Sequence, residues 1–83
     1  MADRDILVVT LKKMISEGRY NDGEDTLFQF AENEGSIDIS DIGQWFYNQL
    51  SVKSDDKLLE KNFSRNEISQ GLKDFMNIVH KKQ

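Results

Sequence analysis

Near the C-terminal end of the chain the apolar residues fall at Ile68, Leu72, Phe75, Met76 and Val79. This i, i+4, i+7, i+8, i+11 spacing is one that a helix turns to a single side and a strand would scatter to both. Three- and four-residue spacings recur along the whole chain. None of its 83 residues is proline, so no locked φ or missing N–H interrupts a helical run. No segment alternates apolar and polar residues long enough for a half-buried strand. The expected fold is all-α: a compact bundle of four to five helices, one domain over residues 1–83, beginning with an antiparallel helical hairpin at residues 3–34.

The first helix is expected over residues 3–17, with Leu7, Leu11, Met14 and Ile15 on one face and Val8 at its edge. Asp3 and Asp5 near its start and Lys12 and Lys13 towards its end suit the helix dipole, and Gly18 stops it. A second helix over residues 21–33 offers Leu27, Phe30 and Ala31 inward, with Gly35 as its stop. A third, over residues 38–51, is capped by Asp38, with Ile37 and Ile42 at hydrophobic-staple spacing, and turns Ile42, Trp45, Phe46 and Leu50 inward. Ser54 followed by two acids predicts a short linking helix over residues 54–61. The sharpest local signal is Phe63-Ser64-Arg65-Asn66-Glu67-Ile68. Ser64 and Glu67 have capping-box spacing and Phe63 and Ile68 staple spacing, so the last helix spans residues 64–81.

The acidic stretch at residues 17–30 invites a calcium-loop reading, which fails by position. With Gly23 as the turn glycine at loop position six, positions one, three, five and twelve fall on Gly18, Tyr20, Asp22 and Gln29, and only one of these is a carboxylate. Asp22, Glu24 and Asp25 instead place negative charge in the first turn of the second helix. Residues 11–33, which contain this stretch, resemble half a tetratricopeptide repeat, with Gly18, Tyr20 and Gly23 in the turn and packing roles. Glycine stands there where the repeat has alanine, and the closing proline is missing. One such hairpin cannot form a solenoid, since stacked neighbours bury a repeat's core.

Other function classes are bounded by what the chain lacks. It has no cysteine, which removes disulfides, thiolate metal sites and cysteine nucleophiles. The formal net charge is −4, which repels a phosphate backbone. No apolar run approaches the roughly 20 residues of a membrane-spanning helix, and the N-terminus lacks a secretory pattern. The expected setting is cytoplasmic, with no nucleic-acid or membrane partner. The one histidine, His80, has no triad partner at helical spacing and is expected to serve as a helix-end cation. There is no glycine-rich phosphate loop, so no catalytic residue, cofactor or metal is expected.

The order "EGRYNDGEDTLF", "WFYNQL", "FSRNEISQGLKDF" resembles a family of small helical domains of unknown function from low-GC Gram-positive bacteria. The resemblance is carried by Tyr20, Glu24, Leu27, Phe28, the Trp45-Phe46-Tyr47 run, Leu50, Phe63-Ser64-Arg65, Glu67-Ile68 and Gly71-Leu72. It implies a helical fold and a bacterial cytoplasmic origin, and it implies no activity.

Surface chemistry then remains. Ile6, Val9, Phe28, Tyr47 and Ile78 lie off the main apolar stripes of their helices and are the candidate partner-binding residues. The expected function is non-catalytic binding of a protein partner or formation of a homodimer. The alternative is a DNA-associated regulator presenting the last helix. Its polar face, however, mixes Glu67, Gln70, Lys73, Asp74 and Asn77 and is not basic.

Overall fold

The computed structural model describes residues 3–35 and 37–81. Its first corner is built by Gly18. Helix α1 (Asp3–Ser16) runs out at Glu17, and Gly18 adopts a φ of +74°, a left-handed conformation that costs glycine nothing. The Gly18 N–H donates to the Ile15 carbonyl at 3.1 Å and the Arg19 N–H to the Met14 carbonyl at 2.8 Å, the bond pair of a Schellman ending. Helix α2 (Tyr20–Asn33) follows at once, one residue earlier than the polar Asn21 suggested. Tyr20 is drawn into the helix because its ring is buried edge-on against Phe63, with centroids 6.2 Å apart.

Helix α3 (Ser40–Ser51) begins one residue later than the Asp38 cap predicted, and Asp38 is not its cap. The Asp38 carboxylate accepts from the Ser40 N–H at 3.0 Å and the Ser40 hydroxyl at 2.8 Å, a local turn that serves the first N–H of the helix from one residue before the cap position. The residue in the cap position is Ile39, which is fully buried. Burial of that side chain sets where the chain enters the helix.

Two further starts follow the sequence closely. Helix α4 (Asp55–Glu60) is capped by Ser54, whose hydroxyl accepts from the Lys57 N–H at 3.2 Å. It ends in a second Schellman turn, with Asn62 at φ 58° and Leu58 and Phe63 both buried beside it. Helix α5 (Arg65–Lys81) opens with the full capping box: Glu67 N–H donates to the Ser64 hydroxyl at 3.2 Å, and Ser64 N–H to the Glu67 carboxylate at 3.1 Å. Arg65 then clamps the corner. It donates to the Ser51 carbonyl at 3.0 Å, the Lys53 carbonyl at 2.7 Å and the Asp55 carboxylate at 2.7 Å, which places a cation at the α3 C-terminus.

The four long helices close a ring in the order α1, α2, α5, α3, each packed on the next. Arg4 meets Asp41 near the starts of α1 and α3, so these two run parallel. Arg65 at the start of α5 meets the end of α3, so that pair is antiparallel. Inside the ring one apolar cluster draws on all five helices, with Leu11, Leu27, Phe46, Leu50, Leu58 and Phe75 wholly enclosed. Trp45, expected in the core, is only half-buried. No strand occurs among the described residues, and no described helix is long and apolar enough to cross a membrane.

Candidate functional site

The five candidate partner-binding residues do not form one surface. Ile6 and Val9 on α1 are open to solvent, 50% and 58% exposed. Phe28 and Ile78 are half-buried and pack against the core, Phe28 tilted on Phe75 with centroids 6.0 Å apart. Tyr47 is corrected outright: it is 1% exposed and lies in the core, out of reach of a partner. The cause is that α3 is packed on both α1 and α5, so the side of α3 away from its main stripe is also covered.

The Tyr47 hydroxyl finds its acceptor across the ring, donating to Glu24 Oε2 at 2.5 Å. The sequence predicts Glu24 as a first-turn acid serving the helix dipole. In the structure it stands in the second turn of α2, at the α2/α3/α5 junction. A signal was present in the spacing: Glu24 follows Tyr20 by four and precedes Phe28 by four, which sets it in an aromatic row beside the main apolar stripe. Gly71 of α5 makes the close approach possible. A Cβ there would lie 2.3 Å from Glu24 Oε2 and 2.7 Å from the Tyr47 oxygen, so only glycine leaves room for the pair.

Glu24 opens on an acidic groove of about 410 Å³ between α2 and α5, with Phe28 among its lining residues beside Asp25, Glu67, Gln70 and Asp74. Desolvation pushes the Glu24 carboxyl above the usual glutamate range. The Tyr47 hydrogen bond opposes that rise, and the neighbouring charges of Glu67, Asp25 and Asp74 add to it. Burial, and then the bond to Glu24, push the Tyr47 phenol up as well.

At the opposite seam, Arg4 of α1 holds both oxygens of Asp41 on α3, at 3.0 and 2.6 Å, and also donates to the Asp38 carbonyl. This hydrogen-bonded pairing holds the Asp41 carboxyl below its usual range. Among the described residues no three histidines or carboxylates are grouped to hold a metal ion. The stretch tested as a calcium loop is the α1/α2 corner, where Asp22 accepts from Arg19 at 3.0 Å. His80 is exposed in the last turn of α5.

The sequence profile of a family of unknown function, DUF6483, matches residues 1–80. The chain belongs to that family. No match was found among curated proteins or among solved structures. For this DUF6483 chain, therefore, any functional reading rests on its own surfaces.

Proposed function

We propose that this DUF6483 chain is a non-catalytic interaction module that associates with a second copy of itself through the outer face of α1. One observation carries the reading: Ile6 and Val9, three residues apart on one helix, expose half or more of their surface while the Leu7 and Leu11 side of the same helix is sealed in the core. Charge supports an antiparallel, two-fold pairing of this helix. Asp3 and Asp5 lie in its first turn and Lys13 in its last, so a symmetry mate running the opposite way sets the acids of one copy beside the lysine of the other. Two exposed aliphatic residues are a small anchor against the ~800 Å² per partner of a standard interface. The association is accordingly weak and concentration-dependent.

The module is taken to be a bacterial cytoplasmic protein of the low-GC Gram-positive group, with a tetratricopeptide-like α1/α2 hairpin. A DNA-bound role fits less well, because the outer face of α5 contributes Glu67, Gln70 and Asp74 to an acidic groove that a phosphate backbone would avoid. Sedimentation equilibrium over a wide concentration range tests the proposal. The expected result is a monomer–dimer equilibrium that the double variant Ile6→Lys/Val9→Lys shifts to monomer with its helical circular dichroism intact. A strict monomer at every concentration, or association indifferent to these substitutions, sinks it.

A further inference from the structure

Glu24 is sealed on one side and surrounded by its own sign on the other. Its Oε2 takes the Tyr47 hydroxyl of α3, and the Gly71 backbone of α5 closes over the pair. The groups facing it from its own helix and from α5 are Asp25, Glu67 and Asp74. Two of those acids are held in place, Glu67 by the Ser64 N–H and Asp74 by the Gln70 amide at 2.9 Å. Among the described residues, no lysine, arginine or histidine lines the groove they share.

We propose that Glu24 and Tyr47 form a proton-operated latch: the neutral carboxylic acid holds α2 against α5, and its ionisation slackens that seam. A neutral acid keeps the Tyr47 bond through its carbonyl oxygen and has no charge to be repelled. An ionised one keeps the Tyr47 donor, loses part of its hydration and faces three negative neighbours, two of them held in place. Desolvation, the largest influence on this carboxyl, acts in the same direction. The folded chain therefore binds the Glu24 proton more tightly than the unfolded chain does. The stability this group contributes is complete below the ordinary glutamate range and is lost as pH rises through the raised folded value. Such a latch tightens on mild acidification, the reverse of the usual carboxylate.

Two measurements on the full chain test it. The first follows the Glu24 side-chain carboxyl by carbon NMR during a pH titration. The midpoint is expected above the ordinary glutamate value, and a midpoint at or below it overturns the proposal. The second compares urea unfolding of the wild type with Glu24→Gln and Tyr47→Phe between about pH 8 and about pH 5. Glu24→Gln, neutral at every pH and still able to accept from Tyr47, is expected to unfold at higher urea than the wild type near neutrality, the gap closing on acidification. Tyr47→Phe removes the donor that favours the ion, so the Glu24 midpoint is expected to rise further. A Glu24→Gln variant no more stable than the wild type near neutrality, or a Tyr47→Phe variant with an unmoved Glu24 midpoint, refutes the latch.

Discussion

Two seams of this bundle each have a carboxylate bridging helices, and they use it in opposite ways. Between α1 and α3, Asp41 is paired with Arg4 across an open surface, their side chains 66% and 41% exposed. At the α2/α3/α5 junction, Glu24 has a phenol for a partner and a glycine backbone for a wall. The first carboxyl is held below its usual range by a guanidinium and the second is pushed above it by lost hydration. The sign of a carboxylate's effect is thus set by how closely the helices beside it approach. Long side chains span the α1/α3 seam and leave it wet. Gly43 and Gly71 let α5 close on its neighbours and keep water from one side of Glu24, whose other side opens on the groove.

The dry side breaks hardest at Phe75. Its ring is fully buried, tilted on Phe28 and laid over Gly43. Phe75→Ala is expected to cost about 3–5 kcal/mol, against the ~5–15 kcal/mol that holds a typical domain folded. Urea or thermal unfolding would show it. A loss as small as that of a surface substitution would mean that α5 does not depend on this contact. Gly43→Ala comes next. A Cβ at that position would lie 2.0 Å from the Phe75 ring, so the helices must separate or the ring must turn, at about 1–3 kcal/mol. The better helix propensity of alanine, worth up to about 1 kcal/mol, offsets part of this. Trimming the ring should relieve the clash, so Gly43→Ala/Phe75→Leu is expected to lose less than the sum of its single changes. Strict additivity in the melts would show that Gly43 is not the seat of the close approach.

The sequence told most where structure is decided within a few residues. The Ser64/Glu67 box and the Gly18 ending are closed by groups within one or two turns of the chain, and both formed where their spacing placed them. Asp38 was also local but ambiguous, since an aspartate can serve the N–H two residues on as readily as one three residues on. The burial of Ile39, a tertiary fact, decided between them. Trp45, Phe46 and Tyr47 are consecutive and fan over more than half a helix circumference, so spacing alone could not say which would face out. The structure leaves the largest, Trp45, half-exposed and buries Tyr47, which has an acceptor waiting in Glu24. Of the candidate surface, Ile6 and Val9 were legible because α1 buries only one side. Phe28, Tyr47 and Ile78 were not, because neighbours that no local pattern reveals cover them wholly or in part.

The smallest expected effect lies at the wet seam, and it tests the contrast most directly. Asp41 is mostly solvent-exposed, and Arg4 would keep its bond to the Asp38 carbonyl if Asp41 were changed, so Asp41→Asn should lower stability only slightly near neutrality and less in high salt. Its pH dependence is the informative part. Because the Arg4 hydrogen bond holds the folded Asp41 carboxyl below its usual range, the stability it contributes is present above the ordinary aspartate value and is lost as pH falls through the folded one. The wild type should therefore lead Asp41→Asn near neutrality and lose that lead in acid. At Glu24 the wild type trails the glutamine variant near neutrality and regains parity in acid. Unfolding curves for the two variants should approach the wild type from opposite sides as pH falls. If the Asp41→Asn curve stays parallel to the wild type throughout, the guanidinium at this seam is not what holds that carboxyl ionised, and the two seams do not differ in the way their geometry dictates.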